Sequence, residues 1–538
     1  MEIDKSILEQ TKRPVFAVER NRQRFHGNDI YRIDVKRLDR DDLLDLLQAC
    51  ETEANKSMAR VVRSILAGME GEIVPVPKFA AFEGMLRAFL VGGFIDGWVY
   101  RAGGDDVVYP EAVEEIKMHY ASDRRDETPH VVLTTVHFAP GSAGGREMTK
   151  RAYRFEASDV THKCIPEILA AEGLFHETQE LKDAYAKSLA YERDVVAPGL
   201  YKQFRVSRMS KRYFVRDNYG RVAEGPLLGR RVVNVHDGDG SCSAVIESSL
   251  KLGSDDDGVV RAIEVPVTPV TYVFDLGSHD FYWVNSAGLD LYEYDLSLRD
   301  KLVLPETHRD LLEAMTDDID TVTGDIIEGK SAGRLILSKG IPGVGKTLAA
   351  EVYSELIERP LYKVNTGSLG TAASNIEKNL KTIFQRARAW GCVLLLDEAD
   401  VFIMRRDGNI ERNAIVAEFL RVLEYFDGLL FMTTNRPDEI DEAIISRCAA
   451  IVEFGPPDVK GTAAIWRIQA ELNGVDLGED LISELVALFP NIAPRDIKML
   501  LPLAIRMSRK KELPLDADMF RRVAMFRAVH MAPAKLAA

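Results

Sequence analysis

The eight residues Gly340–Thr347 (GIPGVGKT) have the composition and spacing of a phosphate-binding loop. Glycines allow the backbone to curl so that successive amide N–H groups point inward, where an anion can accept hydrogen bonds from them. An apolar run precedes the loop and a helix-forming run follows it, and the amino terminus of a helix adds a favourable dipole. The sequence therefore predicts that this loop binds a nucleoside triphosphate.

The residues of this loop have different predicted roles. Lys346 is expected to reach the β- and γ-phosphates of ATP, and the hydroxyl of Thr347 is a candidate ligand for Mg²⁺. The remaining candidate nucleotide-binding positions are Gly340, Pro342, Gly343, Val344, Gly345 and Leu348. ATP and Mg²⁺ are therefore the predicted cofactors.

Further polar residues follow two apolar runs that are typical of buried strands. Asp397 and Glu398 come directly after Cys392–Leu396, and Asn435 follows Leu429–Thr434. A carboxylate at the end of a parallel strand beside the loop can hold the hydration shell of Mg²⁺, which is the role predicted for Asp397. Glu398 can polarise the attacking water as a general base, and Asn435 can orient that water. The pattern predicts ATP hydrolysis.

Length and composition are those of a globular protein with several domains. The 538 residues predict two to four domains, and the net charge of −15, from 84 acidic and 69 basic residues, disfavours a general affinity for nucleic acid. No apolar run approaches the roughly 20 residues that span a bilayer, and the first residues lack the apolar core of a signal peptide. Five cysteines without a CxxC pair indicate a reducing compartment, and we expect a cytoplasmic protein.

Hydrophobic periodicity predicts four regions. Residues 1–198 have a mixed α+β pattern, and residues 199–295 contain short runs of β-branched and aromatic residues that predict a β-rich module. Residues 300–457 alternate between apolar strands and amphipathic helices, which predicts an α/β fold with the parallel sheet of a P-loop NTPase. Residues 458–530 predict a small all-α lid.

Four elements of the first half have clear patterns. Apolar residues at helical spacing predict a long amphipathic helix over residues 41–69 and a second helix over 177–193. Residues 131–138 and 212–215 are rich in β-branched and aromatic side chains and predict strands. None of the four contains a catalytic motif.

Residues 300–530 resemble the AAA+ ATPases. Gly340–Thr347 resembles the Walker A motif, Leu394–Asp400 the Walker B motif and Asn435 the sensor 1 residue, in the order of that family. The resemblance implies an AAA+ large domain followed by a helical lid, ATP hydrolysis, and assembly into a homo-oligomeric ring, with a hexamer expected. It does not extend to the first half of the chain.

The resemblance also implies roles for two arginines. Arg447, in a Ser-Arg-Cys context, resembles the arginine finger that stabilises transition-state charge in the site of a neighbouring subunit. Arg495, at the start of a predicted lid helix, resembles the sensor 2 residue, which touches the γ-phosphate. The alternatives are a structural arginine at a helix end for Arg447 and an ordinary surface arginine for Arg495.

One segment departs from the family pattern. Many AAA+ motors that thread a polypeptide have an aromatic residue in the loop after the second strand, whereas residues 367–373 contain none. This departure disfavours processive threading and favours either local remodelling or a substrate that the N-terminal half handles. The expected partner is an unidentified protein substrate or adaptor, recruited through residues 1–295.

Two alternatives to protein remodelling stay open at this point. The Arg405–Arg406 pair and the context of Arg447 favour a nucleic-acid machine of the clamp-loader kind, although the net charge of −15 opposes it and no membrane partner is expected. The other alternative is a scaffold whose assembly is controlled by ATP and whose hydrolysis is slow.

Overall fold

The computed structural model describes residues 2–17, 30–33, 38–53, 55, 58–59, 62, 66, 75–92, 97–102, 108–120, 128–140, 146–197, 199–207, 228–235, 249–251, 262–316, 334–365, 373–406, 410–424, 426–527 and 529–531. The chain divides into two compact units. The N-terminal unit comprises Met1–Pro198 and Phe204–Leu291, and the C-terminal unit comprises Gly199–Gln203 and Tyr292–Ala538. The chain therefore enters the C-terminal unit briefly, returns, and enters it again.

Antiparallel strands dominate the N-terminal unit. Its strands are β1 (Glu2–Asp4), β2 (Ile30–Arg32), β3 (Trp98–Ala102), β4 (Val108–His119), β5 (His130–Pro140), β6 (Arg146–Glu156), β7 (Leu174–His176), β8 (Phe204–Val206), β9 (Arg231–Asn234), β10 (Ser249–Lys251), β11 (Ala262–Glu264), β12 (Val270–Asp275), β13 (Phe281–Asn285) and β14 (Leu289–Leu291). Its helices are α1 (Lys5–Gln10), α2 (Arg40–Thr52), α3 (Phe82–Gly92), α4 (Ala157–Val160), α5 (Ile165–Ala171) and α6 (Gln179–Tyr191).

Two five-stranded sheets organise this unit. The first has the order β6-β5-β4-β3-β7 and the second the order β13-β12-β9-β8-β14. Leu86 of α3 and Ile168 of α5 pack with Leu133 of β5 in one buried cluster of the first sheet. The indole N–H of Trp98 donates to the carbonyl of Glu264 at 2.8 Å. Contacts of this kind join residues 204–291, most of the module predicted over 199–295, to the preceding strands of this unit.

The sequence predicted some of these elements and missed others. The strand predicted over 131–138 lies within β5, and the helix predicted over 177–193 corresponds to α6. The helix predicted over 41–69 was wrong in length, because α2 ends at Thr52. A new turn begins at Asn55, whose side chain accepts a hydrogen bond from Met58 N at 3.0 Å in the manner of an N-cap.

The C-terminal unit contains a parallel sheet and is otherwise helical in its described part. Its strands are β15 (Arg334–Gly340), β16 (Leu361–Asn365), β17 (Val393–Asp397), β18 (Leu429–Thr434) and β19 (Ala450–Phe454). Its helices are α7 (Leu298–Lys301), α8 (Glu306–Thr316), α9 (Lys346–Leu356), α10 (Ala373–Trp390), α11 (Asp400–Ile403), α12 (Ile410–Leu423), α13 (Glu442–Ile445), α14 (Val459–Leu472), α15 (Glu479–Leu488), α16 (Pro494–Lys511) and α17 (Ala517–Ala524).

The strand order of the parallel sheet is β16-β17-β18-β15-β19. Strands β17 and β18 are almost continuously buried, as expected of strands that are covered on both faces. Helices α14–α17 then form a separate all-α part around Trp466, Leu485 and Phe520, which are fully buried. The predicted α/β fold class, with a parallel sheet followed by an all-α part and preceded by a mixed N-terminal region, is confirmed.

The short segment Gly199–Gln203 belongs to the C-terminal unit and is held there by specific contacts. The amide of Tyr201 donates to the carbonyl of Trp390 at 3.0 Å. The guanidinium of Arg359 lies 4.1 Å from the centre of the Tyr201 ring, within the range of a cation–π interaction. The carbonyl of Gln203 accepts a hydrogen bond from the amide of Tyr292, where the chain enters the unit again.

Two predictions fall partly or wholly on residues outside the described ranges. These are the strand over 212–215 and the loop over 367–373, of which only the last residue is described. Among the helices of the described ranges, none combines the length and the hydropathy needed to cross a bilayer.

Candidate active site

The phosphate-binding loop connects β15 to α9, and its glycines are required by its geometry. Gly340 has φ +143°, and a Cβ atom there would lie 2.0 Å from the carbonyl oxygen of Phe454 on the adjacent strand β19. Gly345 has φ +106° and immediately precedes α9. No side chain caps α9, so the N–H groups of its first turn are left for an anion.

The other residues of the loop divide between the core and the surface. Val344 is buried in the core of the parallel sheet, which anchors the middle of the loop. Pro342 and Leu348 are exposed on either side of it. The loop is therefore fixed from beneath by apolar packing.

Lys346 is buried at the start of α9 and is held by oxygen atoms. Its ammonium donates to the carbonyls of Gly340 at 2.8 Å and Ile341 at 2.7 Å, and to the side-chain oxygen of Asn435 at 2.8 Å. Burial lowers the pKa of Lys346, and repulsion by Arg495 acts in the same direction against attraction by Asp397. All three of these hydrogen-bond partners are neutral, so a bound anion would supply a counter-charge in direct contact with Lys346.

Asp397, the last residue of β17, has donors on both carboxylate oxygens. Oδ1 accepts hydrogen bonds from the hydroxyls of Thr347 at 2.8 Å and Thr433 at 2.6 Å. Oδ2 lies 3.0 Å from the ammonium of Lys363 on β16. Burial acts to raise the pKa of Asp397, but the hydrogen bonds from Thr433, Lys363 and Thr347 hold it below its ordinary value.

The predicted metal ligands Thr347 and Asp397 are thus in direct contact. A hydroxyl and a carboxylate at one point are hard oxygen donors, the ligands that Mg²⁺ prefers. The donor set therefore fits the ion that the sequence predicted.

Glu398 has an unusual backbone conformation. Its φ of +55° lies in the left-handed region, which non-glycine residues rarely adopt. Its amide donates to the hydroxyl of Thr433 at 2.9 Å, and the next amide, of Ala399, donates to the Thr433 carbonyl at 2.8 Å. These bonds to β18 hold the turn, and the side chain of Glu398 is exposed.

Sequence reasoning missed three residues of this cluster. Thr433 bonds both Asp397 and the backbone of Glu398, and the Thr434 hydroxyl donates to the carboxylate of Asp400. Lys363 interacts with Asp397 across neighbouring strands. Lys363 is half-buried on β16, the edge strand of the sheet, where a lysine is common, so no local pattern marked it.

The two arginines lie in different surroundings. The amide of Arg495, in the first turn of α16, donates to the carbonyl of Gly343 at 3.1 Å, so this end of the lid touches the loop. Arg447 donates to Glu424 at 2.6 Å and to the carbonyl of Ala443 at 3.3 Å. Neither contact is with the loop, so the structure does not bring Arg447 together with the other site residues.

A parallel sheet with a glycine loop between a strand and a helix, and with Lys346 and Asp397 beside it, defines a P-loop nucleotide-binding domain. Residues 336–456 match the family model described as "ATPase family associated with various cellular activities (AAA)". The C-terminal unit therefore carries an ATPase domain of the AAA family, preceded by an N-terminal extension.

The proteins similar to this chain include two relatives and one solved structure that illustrate the likeness. The ATP-dependent zinc metalloprotease FtsH 4 of Sphaerobacter thermophilus is 30% identical over 201 residues, 34% of this chain and 30% of that protein. The 26S proteasome regulatory subunit 7 of Dictyostelium discoideum is 32% identical over 197 residues, 32% of this chain and 45% of that protein. The alignments thus span less than half of either relative.

The solved structure is a chain of the E. coli MS115-1 HORMA:CdnC:Trip13 complex, with a TM-score of 0.36 and 20% identity. The match covers 45% of this chain and 93% of that one.

Proposed function

We propose that this protein is an ATPase that binds ATP with Mg²⁺ at Gly340–Thr347 and hydrolyses it to ADP and phosphate. The observation that supports this proposal is one connected cluster at the carboxyl ends of three strands. In it Lys346 contacts Asn435, and Thr347 contacts Asp397. Ligands of open parallel sheets bind at this edge.

The loop and the first turn of α9 would hold the phosphates through backbone N–H groups. Lys346 would exchange its hydrogen bonds to the Gly340 and Ile341 carbonyls for phosphate oxygens, which supply the negative charge that its present partners lack. Bound Mg²⁺ supplies charge neutralisation at the phosphate oxygens, and Thr347 and Asp397 would hold it. Gly343, against the amide of Arg495, would couple the lid to the occupied loop.

Two residues would act on the attacking water. The exposed carboxylate of Glu398 would accept the proton of the water, because Asp397 is occupied by other donors. Asn435 is already bonded to Lys346 and would orient the same water.

Arg447 supports assembly into a homo-oligomer, for which we propose a hexameric ring. Its guanidinium pairs with Glu424 and makes no described contact with the loop of its own chain. A role in hydrolysis therefore requires a neighbouring copy, in whose site it would stabilise transition-state charge.

A protein is the partner that we propose for the N-terminal unit. The two relatives are named as a metalloprotease and as a proteasome subunit, which supports action on proteins. The arginine pair that favoured nucleic acid is engaged within the chain: Arg406 lies 2.9 Å from the carboxylate of Asp441, and the guanidinium of Arg405 donates to the carbonyl of Ile440 at 3.4 Å. These contacts weaken the clamp-loader alternative.

The test is Glu398→Gln, with Glu418→Gln on the surface of α12 as a matched control. The parent should hydrolyse ATP when Mg²⁺ is present, and Glu398→Gln should hydrolyse it at least about 100-fold more slowly while still binding it, because only the base is lost. Steady-state phosphate release and nucleotide binding are measured together. A parent that binds no ATP contradicts the proposal, and a Glu398→Gln variant with the parent's rate contradicts the role of Glu398.

A further inference from the structure

Lys363 is half-buried in the middle of β16, the strand at one edge of the parallel sheet. Its register partner on β17 is Leu395, and the next partners on the same face are Asn365 and Asp397. Because side chains alternate along a strand, Lys363 and Asp397 point to the same face of the sheet. The ammonium reaches the carboxylate of Asp397 at 3.0 Å.

A second carboxylate lies beside the same ammonium. Glu351, on α9, approaches Lys363 at 3.4 Å. The side chain of Asp397 is only 16% exposed, whereas that of Glu351 is 45% exposed. Lys363 thus has a buried acceptor at the predicted metal site and an exposed acceptor on the helix that follows the loop.

The groups that already contact Asp397 determine which donors and charges a metal ion would encounter there. Two hydroxyls donate to Oδ1, and the ammonium of Lys363 lies against Oδ2. A carboxylate has about four lone-pair sites, so a further donor can still approach. A divalent cation would nevertheless experience repulsion from a positive charge a few ångströms away in a partly buried environment.

Lys363 carries that charge at neutral pH. Burial acts to lower its pKa, but the hydrogen bond to Asp397 and the attraction of Asp397 and Glu351 outweigh burial and raise it.

We propose that Lys363 is a built-in cation that occupies the Asp397 carboxylate when metal is absent and competes with Mg²⁺ for it. When Mg²⁺ binds, the ammonium shifts towards Glu351. Lys363 therefore sets the Mg²⁺ concentration at which nucleotide binds, and it stabilises the nucleotide-free domain. This inference rests on the proposed Mg²⁺–nucleotide site.

The experiment titrates Mg²⁺ at a fixed concentration of ADP and records ADP binding to the full chain. Lys363→Met should reach half-maximal binding at about 3- to 10-fold less Mg²⁺, as expected when one partly screened charge is removed. Lys363→Arg keeps the charge and should stay close to the parent. Lys381→Met removes another ion-paired lysine, bonded to Glu377 on α10, and should not move the titration.

Thermal unfolding of the nucleotide-free, metal-free protein is the second readout. Lys363→Met should unfold at a lower temperature because Asp397 has lost its counter-charge, and ADP with Mg²⁺ should remove most of the difference.

A variant of the second acceptor keeps the test decisive if Lys363→Met does not fold. Glu351→Gln removes the exposed acceptor and leaves Lys363 with Asp397 alone, so it should raise the Mg²⁺ requirement, by about 2-fold. A titration of Lys363→Met that matches the parent or needs more Mg²⁺ overturns the proposal, as does an unshifted Glu351→Gln. If the parent fails to bind ADP at any Mg²⁺ concentration, the proposed function is wrong instead.

Discussion

Each unit of the molecule contains a carboxylate with two hydroxyl donors on one oxygen and a cation on the other. In the N-terminal unit, Glu111 accepts hydrogen bonds from Thr135 at 2.7 Å and Tyr153 at 2.8 Å, and Arg101 donates to its other oxygen at 2.7 Å. In the C-terminal unit, Asp397 has the corresponding arrangement with Thr347, Thr433 and Lys363.

Exposure separates these two clusters. The side chain of Glu111 is 0% exposed and that of Arg101 is 2% exposed, whereas Asp397 and Lys363 are 16% and 36% exposed. The pKa of each carboxyl group is lowered by its partners although burial acts to raise it. A similar set of donors therefore makes a closed structural cluster inside a sheet of the N-terminal unit and a more open cluster at the end of the parallel sheet of the C-terminal unit.

Loss of the cation should have its largest effect in the closed cluster. Arg101→Met removes the buried cation beside the fully buried Glu111 and leaves it the partly exposed Arg151 at 3.4 Å, and we expect the N-terminal unit to lose about 3–5 kcal/mol of unfolding free energy. Denaturant-dependent hydrogen exchange of β4 and β5 measures this loss, and exchange of β17 serves as the internal control.

Unchanged protection of β4 and β5 in Arg101→Met would break the comparison. The Glu111 cluster would then have no greater structural role than a surface ion pair.

A fall in pH should affect the Glu111 cluster differently from the Asp397 cluster, because the ring of His137 lies 4.0 Å from Glu111. Burial lowers the pKa of His137 from 6.5 to about 4, with repulsion by Arg151 and Arg101 in the same direction and attraction by Glu111 opposing it. Between pH 6.5 and about pH 4, His137 binds a proton in the unfolded chain but not in the folded chain. The free energy of unfolding therefore falls as the pH falls through this range. The loss is on the order of 3 kcal/mol.

His137→Gln should remove this part of the pH dependence. Burial also lowers the pKa of His176 in the same unit, so the parent and the variant must be compared by denaturation at each pH rather than the parent alone. Equal slopes for the two proteins between pH 6.5 and 4 would show that His137 is protonated in the folded state.

Replacing one threonine of each cluster by valine compares the Glu111 and Asp397 clusters through a smaller expected effect. Thr135→Val removes a donor from Glu111 and should destabilise the N-terminal unit by about 1–3 kcal/mol. Thr433→Val removes a donor from Asp397 and an acceptor for the Glu398 amide, and should slow ATP hydrolysis by about 10-fold, or roughly 1.4 kcal/mol of activation free energy.

Unfolding curves and phosphate release are recorded for both threonine variants. If Thr433→Val changes only stability, or Thr135→Val changes only hydrolysis, the division between a structural and a functional carboxylate is wrong.

The sequence predicted those parts of the molecule whose signal is local. An apolar strand precedes the loop, Asp397 and Asn435 by at most a few residues. The α/β alternation alone therefore places all three at the carboxyl ends of parallel strands. The parallel fold was predictable for the same reason, because β17 is a continuous apolar run.

Other parts depend on partners that lie far away in sequence. Strand β4 contains Pro110 and Glu111, which are typical of loops and surfaces. The partners Arg101, Thr135 and Tyr153 explain how that glutamate is buried in a strand. Lys363 was missed for the same reason, since its neighbour Asp397 is brought to it by the pairing of β16 with β17.

The segment Gly199–Gln203 has a consequence for how the protein is made. It leaves the ribosome before any strand of the parallel sheet has been synthesised, yet its contact partners Arg359 and Trp390 follow much later in the chain. The C-terminal unit therefore cannot complete its fold from its own contiguous sequence. A gene fragment that starts at Tyr292 would encode that unit without the ring that stacks on Arg359.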